Sequence, residues 1–416
     1  MRIGVSSMRP RLTAALVVGV TLASAVPARA DAITHWNNII ANAVAANRPN
    51  PGGFMDMAVI QAAVYDAVQA IERRYEPYYV AVPNASGSSS VAAAKCAHDL
   101  LTTFYSTNTA LIESVDKAYA DFLTDNGFSP ADPGAAVGSA VAALYVPLYR
   151  LQGTPATSQG GTGAGQWRPT PPAGAAGFGP WVPFVTPFTL PSADYFRIKP
   201  QPELTSERYT IDYNEVKAKG SATNSTRTPE EQDTAVFYSD NFLVQWHRTL
   251  RGIAEQHVTD VADSSRLFAL ASLAMGDAFI TVWDSKWHYS FWRPITAIRE
   301  GANDGNPLTD GETGWNSMIA TPPYPDYTSG ANGVTSATMQ ILRSFFGTNK
   351  FVFSVSSVPV SKSRVYIRFS DVQDDVVDAR VWQGIHFRFA DEMGRKQGER
   401  VALWVFENFL KPVQPK

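Results

Sequence analysis

The sequence predicts an all-α protein made of two helical bundles. Apolar residues recur at three- and four-residue spacings through most of the chain, Pro, Gly, Asn and Asp cluster between those runs, and one long Gly/Pro-rich stretch separates the halves. The first amphipathic run covers 31–46, where Ile33, Trp36, Ile39, Ile40 and Val44 share one face. Four more runs follow at about 55–74, 91–105, 109–124 and 135–151. Residues 152–200 then lose periodicity and read as an irregular connection. Trp167, Trp181, Phe184, Phe188 and Tyr195 within it are expected to pack onto the bundles. Helical patterns resume near 230–256, 264–289, 330–346 and 374–410, and residues 351–369 alternate well enough for a small β-hairpin. The expected organisation is therefore an amino-terminal bundle over 31–151, a connection over 152–200 and a carboxy-terminal bundle over 201–416.

Residues 1–30 read as a secretory signal peptide. Arg2, Arg9 and Arg11 precede an apolar run from Leu12 to Val26, and Ala28-Arg29-Ala30 supplies the small-residue cleavage pattern. The apolar run is shorter than the roughly 20 residues a bilayer span needs, so the expectation is a secreted or periplasmic protein without stable membrane insertion. Cleavage before Asp31 removes four arginines and no acid, which takes the formal charge from −3 to −7. A mildly acidic chain has no general attraction for nucleic acid, so any anion site must be a local gathering of cations. Cys96 is the single cysteine, which excludes an intrachain disulfide and multi-cysteine metal sites.

Three segments place charge or donors where a plain bundle would not. In the first, Lys286 and Arg293 lie seven residues apart, two helical turns, amid five aromatics in residues 283–292. Solvated surface cations are the plain alternative, and the aromatic company argues against it. In the second, a Pro-rich turn leads into Ser329-Gly330 at a helix start, which suits an anion at the positive helix end or an ordinary Ser cap. In the third, Arg380 and His386 lie six residues apart on an apolar helix. They can reach one pocket if that helix bends, with Gly384 the candidate hinge. Alone, His386 would read as a core histidine. Together the segments supply three cations, a hydroxyl, a glycine amide and one imidazole. Burying three like charges without an anion costs several kcal/mol per ion, and a tetrahedral oxyanion relieves that cost.

These segments, in this order, resemble the vanadium-dependent haloperoxidases and the type 2 phosphatidic acid phosphatase superfamily that shares their site. The family pattern is Lys-x6-Arg-Pro, then Pro-Ser-Gly-His, then Ser-Arg-x5-His-x3-Asp. It is matched here by Lys286 to Pro294, in part by Ser329-Gly330, and by Arg380 to His386. Trp283, Tyr324 and the run Gly384 to Phe389 look most like the chloroperoxidase branch. The resemblance implies that Lys286, Arg293, Ser329, Gly330 and Arg380 hold vanadate or phosphate, with His386 bonded to vanadium or, in a phosphatase, acting as the nucleophile. Two departures stand out. Ala331 occupies the position of the acid/base histidine, and Ala379 that of the serine before Arg380. Asp391 lies five residues after His386 rather than four. His288 and Asp326 are the candidate replacements for the missing proton carrier.

Three readings follow: an exported enzyme that uses vanadate and peroxide to oxidise halide, a phosphomonoesterase, and a non-catalytic oxyanion-binding protein. The expected partners are small molecules: peroxide, halide, an organic acceptor or a phosphate ester. A homodimer is a further expectation for bundles of this kind.

Overall fold

In the computed structural model of the chain, residues 31–150, 157, 160–171 and 174–414 are described. The signal-peptide segment and parts of the Gly/Pro-rich connection lie outside them. The first half contains α1 (Ala32–Asn47), α2 (Gly52–Glu72), α3 (Ser89–Phe104), α4 (Thr109–Asn126) and α5 (Pro133–Tyr145). The second contains α6 (Glu207–Lys219), α7 (Pro229–Phe237), α8 (Phe242–His257), α9 (Val261–Tyr289), α10 (Pro294–Arg299) and α11 (Gly330–Phe346). An antiparallel hairpin of β1 (Lys350–Ser357) and β2 (Lys362–Arg368) follows, then α12 (Phe369–Trp382) and α13 (Arg388–Asn408). The expected all-α architecture with one small hairpin is what forms.

Two predicted helices each divide in two. The run over 230–256 breaks at Ser239-Asp240-Asn241, because the Asn241 side chain accepts from Leu243 N and starts α8 afresh. The run over 374–410 breaks between Trp382 and Arg388, where Gly384 takes φ 78°. A Cβ there would fall 2.2 Å from Gly220 O, so glycine is needed both for the turn and for its seat against the end of α6. His386 therefore sits on a loop, not on a bent helix. Helix α6 was not anticipated, although Tyr209, Asp212, Tyr213 and Val216 do form a buried helical face.

Helices α2 and α9 run through the middle of the molecule. Both are long and apolar enough to cross a membrane by length and composition, and both are core helices here, 94% and 100% buried over their most apolar stretch. One apolar core draws Trp36 and Ile60 from the first half together with Trp246, Phe268, Ile280, Ile341 and Val401 from the second. A second, smaller core is mainly aromatic and gathers Tyr209, Tyr213, Phe291, Trp292, Trp315, Tyr327, Phe387 and Phe389. It fixes the loops that follow α9 and precede α11 and α13.

The described parts of the connection pack against the bundles. Trp167 N donates to Ser290 O at 2.7 Å, and Trp292 N to Gly165 O at 2.9 Å. The buried Asp277 carboxylate accepts from Phe188 N at 2.7 Å and Thr189 N at 2.8 Å. Of the five connection aromatics, Trp167 is 1% exposed, whereas Phe184 remains 62% exposed. Helices α11 and α13 cross closely because glycines line the contact: a Cβ on Gly394 would lie 2.3 Å from Ser329 O, and one on Gly398 2.0 Å from Gly333 O. That crossing sets where the start of α11 sits.

Candidate active site

Lys286, Arg293, Ser329 and His386 are at most 2% exposed and come together where the end of α9, the 322–329 loop, the start of α11 and the 383–387 loop meet. The cations first organise the loops. Lys286 Nζ donates to Pro325 O and Asp326 O, both at 2.9 Å. Arg293 Nε donates to Tyr324 O at 2.7 Å, and its Nη1 to Ile385 O at 2.6 Å. The Tyr324 ring lies under both charges, 5.2 Å from Lys286 Nζ and 4.8 Å from Arg293 Cζ. Aromatic residues near the cations thus replace part of their lost hydration.

His386 Nε2 lies 3.3 Å from Arg293 Nη1. Arginine only donates, so this nitrogen carries the lone pair and the ring proton belongs on Nδ1. Nδ1 is 2.7 Å from Asp326 Oδ1, off the hydrogen-bond line, and Asp326 also lies 3.6 Å from Arg293 Nη1. Burial, then the charges of Arg293, Lys286 and Arg380, push the His386 pKa well down, so the imidazole is neutral. Burial likewise pushes Lys286 and Arg293 down. It drives Asp326 up to about 7 against the pull of Arg293 and Lys286.

Arg380 is partly buried and lines a cavity of about 280 Å³ beside Trp283, Tyr324, Gly330 and Ala331. Its Nη1 donates to Gln383 Oε1 at 2.6 Å. Ser329 has extended N-cap backbone, yet its side chain makes no cap bond. Instead Asn332 Nδ2 bridges Ser329 Oγ at 3.3 Å and Asp391 Oδ1 at 2.8 Å. Asp391 is fully buried, its pKa raised by burial against the pull of Ser329 and Arg380.

The structure therefore brings together Lys286, Arg293, Ser329, Gly330, Arg380 and His386, and leaves out His288. That side chain is exposed at the end of α9 and packs edge-on against Tyr289, so it does not take the place of the missing acid/base. Lys286 and His288 are two residues apart, which turns them to different sides of the helix. Asp391 sits behind Ser329, and the carboxylate beside the His386 ring is Asp326. Sequence reasoning had weighed Asp326 as a proton carrier and missed this contact. Asn332 is the link between Ser329 and Asp391.

The arrangement suits a tetrahedral oxyanion. Arg293 Nη2 and Arg380 Nε are buried donors with no protein partner among the described residues, and three basic side chains stand against two carboxylates that burial holds toward their neutral forms. Gly330 opens an α-helix of 17 residues at the cavity wall, so the positive end of its dipole adds to the attraction.

The pattern of the VCPO second helical-bundle domain matches residues 266–415, which contain every residue of the cluster. Vanadium chloroperoxidase from Curvularia inaequalis is 38% identical over 91 residues. That stretch is 20% of this chain and only 15% of that enzyme's length. The crystal structure of a bacterial vanadium-dependent iodoperoxidase superposes with TM-score 0.78 at 25% identity, covering 92% of this chain and 97% of that one. Residues 266–415 thus match the second helical-bundle domain of the vanadium haloperoxidases, and the chain as a whole has the fold of their bacterial members. A bacterial vanadium-dependent chloroperoxidase in its apo form shares the fold at TM-score 0.70 and 18% identity, covering 85% of this chain and 92% of that one. Of the two alanines singled out in the sequence, Ala331 lines the cavity and Ala379 is buried.

Proposed function

We propose that this chain binds vanadate and uses peroxide to oxidise halide. The observation that carries the proposal is the neutral His386 ring, its Nε2 lone pair turned toward Arg293 while buried guanidinium donors of Arg293 and Arg380 lack protein acceptors. Arg293, Arg380, Lys286, Ser329 and the Gly330 amide would hold the oxyanion, and His386 Nε2 would bond to vanadium. Bound vanadate would supply a Lewis-acidic centre that activates peroxide toward halide. The protein's share is to keep His386 deprotonated at Nε2, to balance the oxyanion charge with fixed cations, and to exclude bulk water from all but the Arg380 side. Ala331 moves no proton, so this step lacks the rate gain of about 10²–10⁴ that a general acid/base brings.

The same imidazole also fits a nucleophile for phosphate esters, since Asp326 stands at its far nitrogen as an orienting carboxylate would. One assay separates the two. The purified chain, loaded with orthovanadate and given peroxide and bromide, should brominate a phenolic dye, and His386→Ala should lose at least 10²-fold. Vanadate-inhibited hydrolysis of an aryl phosphate without bromination would assign it to the phosphatases. Tight vanadate binding with neither activity would leave an oxyanion-binding protein. Ala331→His should raise turnover by roughly 10²-fold; no gain would place the proton route elsewhere. We also infer export, supported by the charged, apolar, small-residue order of residues 1–30; a mature protein that retains Met1 would contradict it.

A further inference from the structure

We propose that the cavity over the site is a binding chamber for an uncharged, electron-rich, single-ring aromatic acceptor, so that halogen is transferred inside the protein. This rests on the haloperoxidase reading above and names the organic substrate class for that site.

Position comes first. Lys286, Arg293, Ser329 and His386 are almost wholly buried, whereas Arg380, Gly330 and Ala331 line the cavity. A molecule approaching the cluster from that side must occupy this space. The walls come second. Phe54, Phe279, Trp283 and Tyr324 form an unbroken strip of ring contacts, with centroids 4.4, 4.8 and 4.9 Å apart in turn, and Phe242 lies across from them under Arg380. Such a strip presents ring faces and edges to a planar guest, which favours another aromatic over a sugar or a peptide.

Charge narrows the class. Asp240 is the one carboxylate among the described lining residues, and it already accepts from Arg248 Nη2 at 2.7 Å, Val358 N at 3.0 Å and Asn241 N at 2.7 Å. It has little left for an ammonium group. Arg380 is committed to Gln383 and the oxyanion. Size narrows it further: a cavity of about 150 Å³ takes up benzene, so about 280 Å³ accepts one substituted ring. Ala331 contributes only a methyl group where an imidazole would fill the floor. Halide is oxidised by two electrons as peroxide is reduced to water. The ring carbon then forms the carbon–halogen bond and releases its proton. The sum is ArH + X⁻ + H₂O₂ + H⁺ giving ArX + 2 H₂O.

The test uses phenol as the probe and the vanadate-loaded full chain. Phenol should bind saturably by ligand-observed NMR, and its bromination should differ in ortho/para ratio from that produced by free hypobromous acid. Val334→Phe and Ile319→Trp, both on the lining and outside the oxyanion cluster, should weaken phenol binding roughly tenfold or more. Oxidation of halide in the absence of any organic acceptor should stay unchanged in both. Two variants are used because Val334 is buried and Ile319 lies at the rim. Non-saturable phenol binding, or a product ratio equal to that of free hypobromous acid in both proteins, overturns the chamber while leaving halide oxidation standing. Saturable phenol binding by a chain that oxidises no halide supports the chamber and sinks the haloperoxidase reading instead.

Discussion

Asp66 and Asp277 in the core, and Asp326 and Asp391 at the site, are all buried carboxylates, yet they are built differently. Asp66 accepts from Tyr78 N, Tyr79 N, Val80 N and Tyr145 OH at 2.6–2.9 Å. Asp277 has the backbone of Phe188 and Thr189, and the Thr189 hydroxyl, on its two oxygens. Each ties a distant stretch of chain onto a core helix, and each is saturated by fixed donors. Both oxygens of Asp326, and one of Asp391, lack a well-aligned partner, and they face cations that themselves have unused N–H groups. Burial of charge is therefore common to structure and function here. What separates them is whether the donors and acceptors are already consumed.

The sharpest break of this contrast comes through the helix crossing that carries Ser329. Gly398→Ala forces a methyl to 2.0 Å from Gly333 O, against backbone that cannot rotate away. Overpacking of this kind should cost about 3 kcal/mol, the upper part of its usual range. Urea unfolding reads that loss, and phosphate affinity should fall with it as the start of α11 is displaced. Unaltered stability would mean that the α11–α13 contact is looser than its glycines imply.

Asp326→Asn comes next. If an unsaturated carboxylate acts by holding His386, its loss should weaken orthovanadate binding about 10–100-fold, as losing an orienting partner of a metal-ligating histidine does, with little change in stability. The amide removes a charge that repels the anion, which works the other way. Since burial already holds Asp326 toward its neutral form, the orienting loss should win. Calorimetric titration with orthovanadate decides it, and tighter binding would make Asp326 an electrostatic burden and nothing more.

How much of this was legible in advance follows from range. The helices that carry local periodicity, α1 to α5, α9 and α11, were readable because period and capping are properties of adjacent residues. The breaks at Asp240-Asn241 and at Gly384 were hidden inside continuous apolar patterns, and only tertiary contact, such as Gly220 against Gly384, decides them. For the site, residue types and spacing named the cations, Ser329 and His386. The contact of Asp326 with His386 spans 60 residues and has no spacing signature. His288 looked eligible because it sits beside Lys286 in sequence, but helical geometry turns neighbours apart.

The most gradual expected effect, spread over about two pH units, concerns Asp277. Burial raises its pKa from 3.8 to about 6, with the Thr189 hydroxyl and the backbone amides pulling the other way. Below pH 4 the group is protonated in both folded and unfolded chains and affects neither. Between about 4 and 6 the folded state holds the extra proton, so stability declines as pH rises, by at most about 1.4 kcal/mol per pH unit for one proton, and the decline ends above the folded value. Asp277→Asn carries no titration, so the stability difference between wild type and variant should narrow or reverse across that window and stay flat above it. Taking the difference cancels Asp56, which burial also raises to about 6. A difference that instead grows with pH would mean that the fixed donors outweigh burial, and that a saturated carboxylate in this core stays ionised well below neutrality.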